Sequence, residues 1–250
     1  MILGCHVNFT QEQLLGSTKQ AISYGANAFM FYTGAPQNTV RKALDEKLRD
    51  EAYQLMEENH IALSNVICHA PYIINLANNT NEEKWQFSIN FLKQELSRCK
   101  FLNISYIVVH PGSAVGLDKQ VALKNIADAL NLVITEDSPM ILLETMAGKG
   151  TECGSTLEEI QKILSQVESK NIGVCIDTCH LNDAGYSMQD FDEFLEKFDQ
   201  IIGIDKIHCV HLNDSKNSLS AHKDRHENLG LGTIGYDTLL KVALNDKLKN

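Results

Sequence analysis

Imidazole and carboxylate side chains recur where short apolar segments of this chain end. Five segments each end in a residue that can bind a metal ion: His69, His110, Glu144, Asp177 and His211. Three more candidates follow shortly afterwards: His180, Asp224 and His226. This mixture of nitrogen and oxygen donors suits zinc or another borderline divalent ion. One such histidine is more often structural, but burying several of these groups together without a cation is costly. The pattern therefore predicts a metal centre.

The segments that carry these residues are apolar throughout, as in strands of a parallel sheet buried on both faces. Amphipathic helical segments separate them, and Leu123, Ile126, Ala127, Leu130 and Ile134 follow helical spacing in one of these. Capping boxes that begin at Thr80 and Ser155 predict two helix starts. The predicted strands are Met1–Cys5, Ala28–Tyr32, Ile61–Cys68, Ile104–Val109, Met140–Leu143, Ile172–Ile176 and Ile204–Val210.

The spacing of the five strand-end residues favours one α/β architecture. Successive intervals from His69 to His211 are 41, 34, 33 and 34 residues. A unit repeated this regularly predicts a (β/α)8 TIM barrel, which typically needs about 250 residues. A doubly wound sheet is the alternative, but no glycine-rich phosphate loop follows the first strand.

The same repeat leaves room for seven strands. We predict a helix from Tyr236 to Lys249 and expect the eighth strand to begin at or after Asn250. We therefore expect residues 1–250 to form a single barrel domain that lacks its last β/α unit. The natural coding sequence is expected to continue past Asn250 with a strand rich in Val, Ile and Leu, followed by one helix.

Composition excludes several other classes of protein. Hydrophobic residues make up 44% of the 250 residues, and the net charge is −10, which argues against a nonspecific nucleic-acid coat. No apolar stretch approaches the roughly 18 residues of a membrane span. The seven cysteines and the absence of a leader predict reduced thiols in a cytoplasmic protein. Cys68 and Cys209 precede proposed ligands, and we expect both to be small buried groups that point away from the metal.

Several motifs together resemble the endonuclease IV family of zinc-dependent apurinic/apyrimidinic (AP) endonucleases, which act in DNA base-excision repair. The resemblance extends from Gly4 to about Leu240. Its longest motifs are Val174–His180, His211–Lys216 and Asp224–Gly230, and shorter ones lie at 69–76, 109–113 and 143–148.

This resemblance implies a TIM barrel that holds three zinc ions. By motif, His69 and His110 would bind the first zinc ion, and Glu144 would bridge it to the second. Asp177 and His211 would also bind the second ion. A family ligand at the end of the last strand, a Glu, is expected beyond Asn250, which would weaken the second site in this chain. The third ion would be bound by His180, Asp224 and His226.

The resemblance also implies a monomeric enzyme, without membrane attachment, that acts on double-stranded DNA with abasic sites. It would hydrolyse the phosphodiester bond 5′ to the lesion and leave a 3′-hydroxyl and a 5′-deoxyribose phosphate. Glu144 would be catalytic as well as a ligand. The expected DNA contacts are Tyr72, Gln37, Lys216 and Arg225. Gln37 stands in a loop in which some relatives place an Arg that enters the DNA.

Two other interpretations stay open from the residues. A sugar isomerase of the xylose-isomerase type also uses strand-end Glu, Asp and His with two divalent ions, although the five histidines and the Asp-x-His pair disfavour it. The expected absence of the eighth strand is compatible with a noncatalytic zinc- or DNA-binding remnant.

Overall fold

Seven parallel strands pair with one another in the order in which they occur along the chain. The computed structural model describes residues 1–248. Each strand is followed by helix or loop on the outside of the sheet, which is the winding of a TIM barrel. The strands are β1 (Gly4–His6), β2 (Ala28–Phe31), β3 (Val66–His69), β4 (Tyr106–Val109), β5 (Met140–Glu144), β6 (Ile172–Asp177) and β7 (Ile207–His211).

All seven predicted strands are present, with shifted bounds. The segments predicted to begin at Ile61 and Ile204 start with 3-10 turns, at Leu63–Asn65 and Ile204–Lys206, because the chain must bend before it enters the sheet. The strand predicted from Met1 begins only at Gly4. At their carboxyl ends β3, β5, β6 and β7 include the metal-candidate residue itself.

Eight helices cover the described strands. Two begin one residue later than predicted: Asn81, not Thr80, caps the third helix, and Thr156, not Ser155, caps the fifth. In each, the cap side chain accepts the backbone N–H three residues ahead. The helices are α1 (Gln13–Ser23), α2 (Glu46–Glu58), α3 (Glu82–Phe101), α4 (Lys119–Val133), α5 (Leu157–Leu164), α6 (Thr178–Ala184), α7 (Phe191–Ile201) and α8 (Tyr236–Ala243).

Apolar side chains pack on both faces of the sheet, as predicted from strands that are apolar throughout. The larger cluster lies between the sheet and the helices and includes the helical stripe of α4, with Leu123 and Leu130 fully buried. A smaller cluster fills the inner face and contains Val108, Leu142 and Cys175. Because side chains alternate along a strand, the next inward residue of each strand reaches the carboxyl edge.

Beyond β7 the chain forms a two-stranded antiparallel hairpin, β8 (Asp214–Ser215) with β9 (His226–Glu227), and then α8. Helix α8 ends at Ala243, earlier than predicted, and Lys249 lies outside the described residues, as does the expected eighth strand. Within residues 1–248, β1 and β7 are the edge strands of the main sheet. No helix in this described part is long and apolar enough to cross a membrane.

Candidate metal centre

The carboxylate of Glu144, at the end of β5, lies in the middle of the candidate centre. Its Oε2 is 3.1 Å from His69 Nε2 and 3.0 Å from His110 Nε2. Its Oε1 is 2.9 Å from His211 Nδ1 and 3.4 Å from His180 Nδ1. One buried carboxylate therefore contacts imidazoles from four different β/α units, so the repeat brings together residues that are far apart in the sequence.

The surrounding imidazoles keep Glu144 ionised. Burial alone would raise its pKa, but the imidazoles of His211 and His110 outweigh burial and hold the pKa well below its usual range. Glu144 in turn changes the pKa of His211. Burial opposes the charged form of this imidazole, but the nearby carboxylate outweighs burial and raises the pKa well above its ordinary value. The centre thus holds a charged carboxylate that needs a cationic partner.

His69 shows where that cation would lie. Its Nδ1 is 2.7 Å from the carbonyl oxygen of Ala70, which can only accept, so Nδ1 carries the hydrogen. Burial lowers the pKa of His69 despite the pull of Glu144, which favours the neutral ring. The unprotonated Nε2 then faces an oxygen of Glu144 at 3.1 Å, with lone pairs on both atoms. Only a cation between the two atoms makes this arrangement favourable.

A second group of donors lies where α6 meets the β8–β9 hairpin. His180 Nδ1–H donates to the carbonyl oxygen of Thr145 at 2.8 Å, which directs Nε2 outward. That Nε2 is 3.1 Å from Asp224 Oδ1 and 3.4 Å from His226 Nε2, and the last two atoms are 3.5 Å apart. A tetrahedral ion with bonds of about 2.0–2.1 Å spaces its ligands by about 3.3 Å, so the three donors have the spacing of a metal site.

Asp177, at the end of β6, connects this group to Glu144. Its Oδ2 is 3.7 Å from both His211 Nδ1 and His226 Nε2. Its Oδ1 accepts the backbone N–H of His180 and so caps α6, while Asn213 Nδ2 donates to Oδ2 at 2.7 Å. Nε2 of His211 is buried without a hydrogen-bond partner among the described residues. The carboxylate therefore lies between two groups of imidazoles and is held from both sides.

These observations fit a centre of several divalent ions. Carboxylate and imidazole are the donors that zinc and similar ions take, and each is oriented by backbone or amide partners. In the absence of a metal, His180 must be protonated to satisfy its neighbours: burial opposes this, but Asp177 and Asp224 raise its pKa to about 10. A metal ion would replace that proton and neutralise the same carboxylates.

Two buried aspartates that the sequence prediction missed hold the loops around the centre. Asp183, in α6, accepts hydrogen bonds at Oδ2 from the backbone N–H of Asp224 and from Asn217. At Oδ1 it accepts from Ser215 Oγ and from Asn182. Asp224 has a left-handed backbone, with φ of 53°, so its position depends on this support.

Asp214 organises the following loop in the same way. Its carboxylate accepts backbone N–H groups from Gly230, Gly232 and Ile234, all at 3.0 Å. A Cβ at Gly232 would lie 2.5 Å from Asp214 Oδ1 and 2.3 Å from the carbonyl oxygen of Ser215, so only glycine allows this approach. Asn213 and Asp214 therefore both have structural roles. Asn213 holds the carboxylate of Asp177 in place, and Asp214 folds the loop at residues 230–234.

The four predicted DNA contacts have accessible side chains. Tyr72, directly after β3, is 54% exposed. Gln37 and Arg225 are also exposed, and Lys216 is exposed with a 3.8 Å ion pair to Glu227. Their roles stay predictions, but the accessible phenol ring and the two cations on the β8–β9 hairpin are available to a polyanion.

Three further histidines lie outside the ligand groups. His60 is exposed after α2 and His222 is exposed in a loop, whereas His208 stacks on Tyr106, a neighbour of the inner-face cluster, at 5.6 Å. For one cysteine the prediction is wrong. Cys209 lies two residues before His211, so the alternation of β7 puts both side chains on the same face. Ligand atoms of Cys209 and His211 lie within 4.8 Å of each other.

This chain is similar in sequence to one described family and to proteins from bacteria. The family described as "Xylose isomerase-like TIM barrel" matches residues 18–248. A "Probable endonuclease 4" of Pediococcus pentosaceus is 48% identical over 100% of this chain and 85% of its own length. Another of the same name, from Mesoplasma florum, is 47% identical over 98% of this chain and 86% of its own length.

Solved structures show the same fold. The crystal structure of endonuclease IV from Thermus thermophilus matches with a TM-score of 0.85 and 28% identity, covering 99% of this chain and 89% of that one. A D-tagatose 3-epimerase-like protein matches with a TM-score of 0.68 over 96% of this chain and 85% of its own, at 22% identity. The second likeness shows the barrel alone.

Proposed function

The chain belongs to the endonuclease IV family, and from that premise we propose that it is a zinc-dependent endonuclease that cuts DNA at abasic sites. The bond hydrolysed is the phosphodiester immediately 5′ to the lesion, which leaves a 3′-hydroxyl and a 5′-deoxyribose phosphate. The observation that carries the proposal is the convergence of imidazoles from four β/α units on the single buried carboxylate of Glu144. A DNA-cleaving hydrolase of this family needs such a centre.

The eight residues divide into three ligand groups by their contacts. His69 and His110 share one oxygen of Glu144, while His211 and Asp177 lie on its other side. The third group is His180, Asp224 and His226. When bound, divalent ions at these groups make water nucleophilic at neutral pH and neutralise negative charge on the phosphodiester.

The chain's own residues prepare the centre for that chemistry. Glu144 is held ionised and presents an oxygen to each side, so it would serve as a ligand together with the imidazoles on both sides, and as a hydrogen-bond acceptor it would orient the attacking water. The carbonyl oxygens of Ala70 and Thr145 fix the rings of His69 and His180, so that Nε2 of His69 faces Glu144 and Nε2 of His180 faces Asp224, and neither ring must reorient when a ligand binds. Asp183 holds the loop that carries Asp224 against α6.

Bound divalent ions would make the centre locally cationic although the chain is acidic overall. Three divalent ions would add six positive charges against the three carboxylates among the eight ligands. Exposed Lys216 and Arg225 add side-chain charge where a phosphate track would pass. Tyr72 offers a ring against which the opened duplex can stack, and an abasic nucleotide is extruded at small cost because it has lost pairing and most of its stacking.

The test is incision of an end-labelled duplex that contains one abasic site. We expect a single cut 5′ to the lesion whose 3′ end a DNA polymerase extends, and no cut in the intact duplex. Glu144→Gln should lower the rate by more than the about 10–100-fold typical of groups that only orient a ligand. The matched control is Glu159→Gln, a half-buried carboxylate outside the centre that accepts two backbone N–H groups. Equal rates in both variants would refute the assignment of Glu144.

A further inference from the structure

A layer of sulfur lies directly beneath the Asp177 and His211 ligands. Cys175 and Cys209 are register partners on β6 and β7, and Asp177 and His211 are the register partners two residues later. Because side chains two residues apart share a face, both thiols point into the barrel like the two ligands above them. The layers are separated by about 6.6 Å along the strands.

The thiols and one imidazole are close enough to share an ion. Ligand atoms of Cys175, Cys209 and His211 all lie within 4.8 Å of one another. A tetrahedral ion with metal–sulfur bonds of about 2.3 Å places its sulfurs about 3.8 Å apart, so a small contraction closes the group. Cys175 is fully buried, whereas Cys209 is partly exposed.

The surroundings favour a soft cation over a hard one. The neighbours on the inner face are apolar, among them Val108, Leu142 and Met30. If each thiol loses its proton to solvent, two thiolates and a neutral imidazole around a divalent ion form a complex with no net charge. Such a complex avoids the cost of burying charge in this layer. Thiolate donors select soft metals, unlike the carboxylates above them.

We propose that Cys175, Cys209 and His211 form a second metal site, for a soft thiophilic cation, beneath the ligand groups of the nuclease centre. The two sites share one imidazole, because His211 Nδ1 also faces Glu144 at 2.9 Å. An ion bound by the thiols therefore draws His211 from the centre above. Soft metal ions, which prefer thiolate to carboxylate ligands, would therefore inhibit the enzyme by binding at this second site.

The test uses Cd²⁺ as the probe on the chelator-treated full chain with reductant present. We expect a thiolate-to-cadmium charge-transfer band that saturates at one ion per chain and is lost in Cys175→Ala/Cys209→Ala. The matched control is Cys68→Ala/Cys99→Ala, another buried thiol pair in contact, which packs between sheet and helices and has no histidine in its group. The control should keep the band.

Two outcomes would overturn the proposal: a band that persists in the first double variant, as cadmium on Cys179 would give, or a band lost in the control. If the first double variant does not fold by circular dichroism, Cys209→Ser at the partly exposed position replaces it, and the cadmium concentration that gives half of the full band should then rise about tenfold. In the zinc-loaded enzyme, Cys209→Ser should also raise the cadmium concentration for half-inhibition about tenfold, since removing one ligand contact of about 1.4 kcal/mol has that effect. The absorption band needs no nuclease activity, so its failure is separate from failure of the proposed function.

Discussion

Replacing Asp183 with asparagine tests whether this buried carboxylate keeps the third ligand group assembled. The substitution preserves size but leaves one oxygen where there were two. Each oxygen of Asp183 accepts two hydrogen bonds, one pair from Asp224 N–H and Asn217 and the other from Ser215 and Asn182. Whichever way the amide turns, its NH₂ group faces two donors.

The loss can be sized from those contacts. A hydrogen bond to a charged group contributes about 1.5–3 kcal/mol, so two lost bonds weaken the loop by roughly 3–6 kcal/mol. Asp224 is also released from a left-handed backbone conformation that costs roughly 1–2 kcal/mol. If about half of the upper value of 6 kcal/mol appears as a loss of metal-binding free energy, the ion held by His180, Asp224 and His226 should bind about 100-fold more weakly, because that factor corresponds to about 2.8 kcal/mol.

Calorimetric titration of the chelator-treated protein with Zn²⁺ measures this, with circular dichroism to confirm the fold. We expect one of the binding steps to weaken in Asp183→Asn while the others keep their affinity. Asp118→Asn is the control, because Asp118 also accepts two backbone N–H groups, as the cap of α4, and belongs to none of the ligand groups. Unchanged zinc binding in Asp183→Asn, or equal weakening in both variants, would refute the reasoning.

Four further results are expected. Asp224→Ala or His226→Ala should lose about one zinc ion by elemental analysis and most cleavage, whereas global unfolding seen by circular dichroism would make these residues structural. Because His180, with a pKa near 10, gives up a proton to bind metal, zinc affinity of its group should rise about tenfold per pH unit from pH 6 to 8, and a flat profile contradicts this. Affinity for abasic duplex should fall steeply with salt and exceed that for intact duplex, and equal affinities at one salt concentration would exclude lesion recognition. Tyr72→Ala should weaken abasic-duplex binding by about 1–3 kcal/mol in a fluorescence titration without changing zinc content, and unchanged binding removes its proposed role.

The strands and their metal-candidate ends could be predicted because the signal is local. A strand buried on both faces is apolar throughout, so a charged or imidazole side chain such as Glu144 marks where it opens. The bounds were less predictable: the segments before β3 and β7 are 3-10 turns, Leu63–Asn65 and Ile204–Lys206, in which one apolar residue that packs against the core is followed by two polar residues.

The supporting residues could not be predicted for a different reason. Asp214 accepts N–H groups from residues 16–20 positions later, and Asp183 from one 41 positions later, so neither contact leaves a local pattern. Their burial follows from the loops folding back over α6. The position of Cys209, in contrast, could have been predicted from the sequence. Cys209 and His211 are two residues apart on one strand, so the alternation of side chains places both on the same face.

The most direct test of the account measures metal content and incision together. The chain is stripped with a chelator, reloaded with increasing Zn²⁺, and assayed at each step for bound zinc by elemental analysis and for cleavage of a duplex with one abasic site. The account predicts no cleavage in the stripped chain and incision 5′ to the lesion that appears as zinc fills the groups around Glu144. Full cleavage by the metal-free chain, or zinc binding with equal cutting of intact DNA, would contradict it.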